Sequence, residues 1–330
     1  MTASTARKKV LVFRELPPEQ LARLQVQHDV TLANPRVSEQ LPAFRAALAP
    51  AEGMIGSSYR VDAALLAAAP LLKVISSVSV GVDNYDLRAL TARGVVLCHT
   101  PGVLTETTAD TVFSLIMATS RRLVELANLV REGRWTRNIG EDLFGWDVHG
   151  KTLGILGFGR IGQALARRAA LGFGMPVLYH SRRALDVANA LPDLVGKVKH
   201  TPLDELLLCA DIVAAVLPLS SETRGLIGAR EFALMKPGAI FINGGRGATV
   251  QEDALLHALN HGTLRAAGLD VFATEPLPMD SKLRTHPKIT ALPHIGSATV
   301  ETRHAMAVLA TTNLLQALAG ERPAAVFDAG

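Results

Sequence analysis

The stretch from Lys151 to Arg183 constrains this chain more than any other. It opens with an apolar run, Thr152 to Leu156, that reads as a buried strand. A G-x-G-x-x-G turn follows at Gly157, Gly159 and Gly162. Gln163 to Leu171 is rich in helix formers, and Met175 to His180 is a second apolar strand. Strand, glycine turn, helix and strand make a βαβ unit, which commits this part of the chain to a parallel sheet. Each glycine has a mechanical reason: a tight turn, close approach of backbone to a pyrophosphate, and close helix–strand packing. The helix start aims free N–H groups and a positive dipole end at phosphates. The turn points to a bound dinucleotide; a purely structural α/β turn is the competing reading.

The end of the second strand bears on which dinucleotide. An NAD site usually carries an Asp or Glu about 20 residues past the turn, bonded to the ribose 2′-OH. Ser181-Arg182-Arg183 stands there, with no acid. A hydroxyl and two guanidiniums suit a 2′-phosphate, because arginine binds phosphate bidentately. The expectation is a preference for NADP(H), with NAD(H) also accepted. Ordinary solvated arginines are the alternative.

A length of 330 residues is enough for two cores. The formal net charge is only +4, and the basic residues are scattered apart from pairs such as Arg121-Arg122 and Arg167-Arg168. No nucleic-acid-binding stripe results. Cys98 and Cys209 lie in apolar stretches without metal-ligand spacing, so buried free thiols in a reducing compartment are expected, and no metal. Met1 to Lys9 is small, polar and basic and does not read as a signal peptide. No apolar run is long enough to span a bilayer. These features predict a cytoplasmic protein with no membrane partner.

The first hundred residues alternate strands (Val10–Phe13, Val30–Leu32, Gly53–Gly56, Lys73–Ser77, Val95–Cys98) with helical stretches (Glu19–Gln27, Ala63–Ala68). That pattern predicts a second parallel sheet. Ser79-Val80-Gly81-Val82-Asp83-Asn84 follows one of these strands, at the sheet edge where open α/β sheets bind ligands. Its N–H groups suit an anion such as a carboxylate; a plain strand-to-helix turn fits the position equally well. Thr105 to Arg122 reads as one helix with Ala109, Val112, Phe113, Ile116 and Met117 inward, followed by a helical stretch to Arg131. An irregular segment, Gly133 to Gly150, holds both tryptophans, Trp135 and Trp146, and suits packing on another subunit or within its own.

In the second half, three polar residues sit just past predicted strand ends. Arg246 follows Ile242-Asn243-Gly244-Gly245, Glu275 follows Leu269-Asp270-Val271-Phe272, and His294 follows Ile289 to Pro293. In a parallel sheet such ends share one edge, so the three converge. Reduction of a 2-keto acid needs that set. Arg246 can grip a carboxylate through two bonds and polarise the carbonyl. His294 is a general acid suited to neutral pH, and a neighbouring Glu275 favours its imidazolium and orients the ring. Singly, each has a structural reading: a histidine after a strand, a Glu-Pro turn, a helix-capping arginine.

These residues make the chain recognisable. Val80-Gly81-Val82-Asp83-Asn84, Leu156 to Gly162, Leu217-Pro218-Leu219 with Thr223, Ile242 to Gly247, Gly268 to Phe272 with Glu275-Pro276, and Pro293 to Ser297 resemble the D-isomer-specific 2-hydroxyacid dehydrogenases over nearly the whole length. Thr105 to Thr111, His180 to Arg183 and His294 to Thr299 are most similar to the bacterial reductases of glyoxylate, hydroxypyruvate and 2-ketogluconate in that family.

The resemblance implies an α/β fold of two Rossmann-like domains, one flavodoxin-like and one NAD(P)-binding, with the active-site cleft between them. The substrate domain would be discontinuous, 1–103 and 292–330. The NAD(P)-binding domain would span 104–291, with a dimerisation segment at 111–150 of a homodimer. Arg246, Glu275 and His294 would be catalytic. Ser79, Val80, Gly81, Arg246 and His294 would hold the 2-keto or 2-hydroxy acid. Val80, Thr108, Gly157, Phe158, Gly159, Arg160, Ile161, Gly162, Ser181, Arg182, Arg183, Leu217, Pro218, Thr223, Asn243, Gly244, Gly245, Arg246, Asp270, His294, Gly296 and Ser297 would contact the cofactor. Alternatives are a 2-ketogluconate-6-phosphate reductase and a dinucleotide-sensing protein akin to the related corepressors. A formate-dehydrogenase-like enzyme is disfavoured, since that group resembles a Gln–His pair.

Overall fold

The computed structural model describes residues 6–328, which form two compact units. The first comprises 6–104 with 298–328, the second Thr105–Ser297.

In the first unit, five parallel strands, β1 (Lys9–Val12), β2 (Asp29–Leu32), β3 (Gly53–Gly56), β4 (Val74–Ser77) and β5 (Val96–Cys98), are ordered β2-β1-β3-β4-β5. This is the flavodoxin-like order. β3 and β4 are buried along their whole length, as a parallel sheet covered on both faces requires. Leu11, Phe13, Phe44, Met54 and Ile75 join one apolar core. The helix Val300–Leu318 returns to this sheet: Leu314 and Leu318 lie against Gly53, and the Ser76 hydroxyl donates to the Ala310 carbonyl at 2.7 Å.

In the second unit, β6 (Leu153–Leu156), β7 (Val177–His180), β8 (Val198–His200), β9 (Ile212–Ala215), β10 (Ala239–Asn243), β11 (Leu264–Leu269) and β12 (Ile289–Ala291) form a parallel sheet ordered β12-β11-β10-β9-β6-β7-β8. Strand order reverses between β6 and β9, the Rossmann switch point. Two apolar clusters, around Ile155 and Tyr179 on one side and Phe241 and Leu255 on the other, fill the layers between sheet and helices.

Several expectations need correction. The helix from Thr105 stops at Ser120; Arg122 turns left-handed at φ 54°, and a separate helix, Leu123–Arg131, follows. Residues 292–297, expected with the first unit, cluster with the second. Leu292 packs on the second unit's core, and Asp270 binds the amides of Ile295 and Gly296. Cys98 is buried, but Cys209 is exposed. It ends the helix Leu203–Cys209, whose buried side is Leu206 and Leu207. Among the described residues no helix is long and apolar enough to cross a membrane.

Candidate active site

The G-x-G-x-x-G turn leaves β6 at the switch point and enters the helix Arg160–Arg167. Gly157 has φ 96°, which favours glycine, and a methyl group there would lie 3.0 Å from the Val216 carbonyl oxygen. A methyl group on Gly162 would collide with the Gly157 carbonyl, whereas one on Gly159 would face open space. The turn is thus tight at its first glycine, closely packed at its third, and open at its second, where a pyrophosphate would approach. Arg160 and Ile161 open the helix whose free N–H groups face that space. The Phe158 ring is buried beneath it, stacked on Tyr179 at 3.7 Å, and its carbonyl accepts from the Gln163 side chain.

A cavity of about 560 Å³ is lined by Phe158, Gly159, Ser181, Arg182, Arg183, Ala184 and Leu185. The Ser181 hydroxyl donates to the Arg183 carbonyl at 2.7 Å, and His200 at the end of β8 donates to the Ser181 carbonyl at 3.1 Å. Arg182 extends into solvent, with Glu222 at 3.6 Å. The donor set, two exposed guanidiniums and a hydroxyl around a pocket without a carboxylate in its wall, fits an adenosine ribose with a 2′-phosphate.

Beyond β9, the Thr223 hydroxyl donates to the Pro218 carbonyl at 2.6 Å and closes the loop from Leu217. Beyond β10, buried Asn243 shapes the turn that carries Arg246: its Oδ1 accepts from the Gly245 amide and its Nδ2 donates to the Arg246 carbonyl, both at 3.1 Å. Gly245 lies on the Leu217 backbone and Gly244 on Val112, so neither tolerates a side chain.

Beyond β12, His294 adopts φ 55°. Its Nδ1 bonds to Glu275 Oε2 at 2.7 Å, while Glu275 Oε1 accepts from the Phe272 amide at 2.9 Å. Burial alone would raise the Glu275 carboxyl. The His294 hydrogen bond, the Phe272 amide and the charges of His294 and Arg246 outweigh it and hold the group below the usual carboxylate range. An ionised carboxylate only accepts, so Nδ1 carries a proton and Nε2 is the nitrogen left to face a reactant. β10, β11 and β12 are neighbours, so Arg246, Glu275 and His294 share one sheet edge.

Asp270, expected among the cofactor contacts, ties this loop down. Its oxygens accept from the Ile295 amide at 2.8 Å and the Gly296 amide at 2.9 Å. Burial pushes its carboxyl up, against those two amides and the His294 charge. Thr108 lies over Gly296, where a methyl group would come within 3.3 Å of it, and Ser297 follows, half-buried.

The turn at Ser79–Gly81 belongs to the first unit and leaves β4. The Ser79 hydroxyl donates to the Gly81 carbonyl at 2.7 Å, and since its one proton is used there, Ser77 donates to Ser79 across 2.9 Å. His99, at the end of neighbouring β5, donates from Nδ1 to the Val80 carbonyl at 3.1 Å. Its ring meets Phe327 edge-on at 5.4 Å, and Asn313 donates to its carbonyl. In a trans peptide the N–H points opposite the C=O. Pinning the carbonyls of Val80 and Gly81 therefore turns the Gly81 and Val82 amides the other way, and neither donates to any described residue. His99 was not singled out by sequence, although strand-end reasoning applied to β5 would have reached it.

Residues 113–296 match the family model described as "D-isomer specific 2-hydroxyacid dehydrogenase, NAD binding domain". The chain is 53% identical over 311 residues to glyoxylate/hydroxypyruvate reductase B of Klebsiella pneumoniae (strain 342), spanning 94% of this chain and 95% of that protein. A crystal structure of an NADPH-dependent glyoxylate/hydroxypyruvate reductase from Sinorhizobium meliloti, in complex with NADP and malonate, superposes with a TM-score of 0.86 at 32% identity, covering 98% of this chain and 97% of that one. A Thermus thermophilus protein reaches 0.87 at 42% identity, covering 97% and 100%. The chain belongs to the D-isomer specific 2-hydroxyacid dehydrogenase family.

Proposed function

We propose that this enzyme is an NADPH-preferring reductase of small 2-keto acids, glyoxylate and hydroxypyruvate foremost, to D-2-hydroxy acids. The observation that carries the reading is the His294–Glu275 hydrogen bond beside Arg246 at one sheet edge. The Gly81 and Val82 amides bind the substrate carboxylate, and Arg246 grips the same acid and stabilises charge growing on the carbonyl oxygen. His294 delivers a proton from Nε2 to that oxygen while Glu275 holds the ring by Nδ1. Gly157 to Gly162 hold the pyrophosphate of the dinucleotide, and Ser181, Arg182 and Arg183 its 2′-phosphate. When bound, the reduced dinucleotide supplies the hydride. The NADPH-dependent relative from Sinorhizobium meliloti supports the cofactor preference.

We further read the protein as a homodimer. The helix Leu123–Arg131 buries none of its residues, and Leu123, Val130, Trp135, Ile139 and Phe144 are exposed. Exposed apolar area of this extent marks a contact surface.

The test is oxidation of NADPH and NADH, followed by absorbance, with glyoxylate, hydroxypyruvate, 2-ketogluconate and pyruvate. Turnover with NADPH well above NADH is expected. Tight dinucleotide binding without turnover of any keto acid would replace this reading with a ligand sensor.

A further inference from the structure

Three arginines of the first unit have no place in the chemistry above. Arg14 lies two residues past β1, Arg303 in the first turn of the helix Val300–Leu318, and Arg36 in the loop after β2. Among the described residues no carboxylate pairs with any of them. Arg14 is half-buried, and among the described residues its guanidinium is tied only to the hydroxyl of Ser57, a buried residue just past β3. Burial and the positive charges of Arg303 and Arg36 all disfavour its own charge. Arg303 is also partly buried, and it sits near a helix N-terminus, where the dipole opposes a cation. Partly buried Arg14 and Arg303, with the exposed Arg36 beside them and no counter-charge among the described residues, cost stability. An anion that arrives from outside would relieve that cost.

The sheet places this cluster relative to the Ser79–Gly81 turn. Val12 pairs with Ile55, and Ile55 with Ser76. Two residues on, Arg14, Ser57 and Val78 form one row across β1, β3 and β4. Neighbouring strands lie about 4.8 Å apart, so the guanidinium held over the β3 end is roughly 5–10 Å from the turn that leaves β4. An acid chain of about four to six carbons, at ~1.5 Å per bond, covers that span.

We propose that Arg14, held by Ser57 and reinforced by Arg303, forms a subsite for a second anionic group, carboxylate or phosphate, at the far end of a longer 2-keto acid. This inference rests on the reading above that the Ser79–Gly81 turn binds the substrate's 2-keto carboxylate. It extends the substrate range from short keto acids to those with an anion at the other end.

Matched pairs test it: 2-oxopentanoate against 2-oxoglutarate, and 2-ketogluconate against its 6-phosphate. With NADPH the charged member of at least one pair should show kcat/KM about tenfold higher, the scale of a charge-assisted hydrogen bond. The pair that responds tells carboxylate from phosphate. In Arg14→Leu the ratio within that pair should fall toward one. Arg303→Gln, at the cluster's edge, should lower the ratio partway, and it serves alone if melting curves show that Arg14→Leu is unfolded. No preference for the charged member in either pair, or a preference that survives the substitution, overturns the subsite while leaving the keto-acid reductase intact. Failure of the wild-type protein to reduce hydroxypyruvate overturns both.

Discussion

The two units are built alike and present their strand ends differently. Each is a parallel sheet whose carboxyl edge carries the polar groups. In the second unit, side chains reach outward from that edge: Arg246 past β10, Glu275 past β11, His294 past β12. In the first, side chains turn inward onto their own backbone, His99 to the Val80 carbonyl and Ser79 to the Gly81 carbonyl, and the edge presents amides. Amides cannot move a proton, but they hold an anion in fixed geometry at little entropic cost. Side chains can hold or move protons, and their pKa values answer to neighbours, as Glu275 does to His294. In the function proposed above, one architecture serves a grip in one place and acid–base chemistry in the other, and the loops decide which.

The comparison predicts where substitutions fall on kcat and where on KM. Arg246→Ala should damage binding and turnover together, lowering kcat by about 10²–10³ as for a lost oxyanion donor, with a higher KM for the keto acid. A change confined to KM would reduce Arg246 to a grip like that of the first unit. Replacing Arg182 and Arg183 together with Ala should raise the KM for NADPH about tenfold or more and leave that for NADH nearly unaltered. Equal rises would remove the 2′-phosphate assignment.

His99→Phe keeps an aromatic ring on Phe327 but removes the donor to Val80. It should raise the keto-acid KM several-fold, up to about tenfold, with a smaller change in kcat. His99→Asn, whose Nδ2 stands where Nδ1 does, should recover most of the loss. If both variants behave alike, the pinned turn is not what fixes the grip.

The smallest effect is on stability. Glu275 titrates below its ordinary value in the fold, so its contribution is present in full above the unfolded carboxyl value of ~4.3 and is lost as pH falls through the folded value. Glu275→Gln should melt slightly below wild type at neutral pH, by a difference under about 1 kcal/mol for so solvated a pair. The gap should close in acid. A gap that widens in acid would reverse the sign of the Glu275–His294 coupling.

What could be read from the sequence follows from how local each signal is. β6 and β10 are continuous apolar runs, and residues a few positions past such runs must lie at the sheet edge. That is why the convergence of Arg246, Glu275 and His294 at one sheet edge is legible in the sequence. Val198-Lys199-His200 forms an edge strand with too little apolar pattern to announce itself, and the helix Leu41–Leu48, with Pro42 in its first turn, was also passed over. Asp270 and His99 take their meaning from partners 25 and 19 residues away, which no local pattern encodes. The segment 292–297 joins the second unit for the same reason. Its tie to Asp270 lies in the fold alone.

The central claim is that proton delivery resides in His294 and nowhere in the first unit. Steady-state kinetics of hydroxypyruvate reduction by NADPH, wild type beside His294→Ala, tests it most directly. The account predicts a keto-acid KM changed little and kcat lower by about 10²–10⁴, the range of a lost general acid. A variant that turns over at the wild-type rate would contradict it.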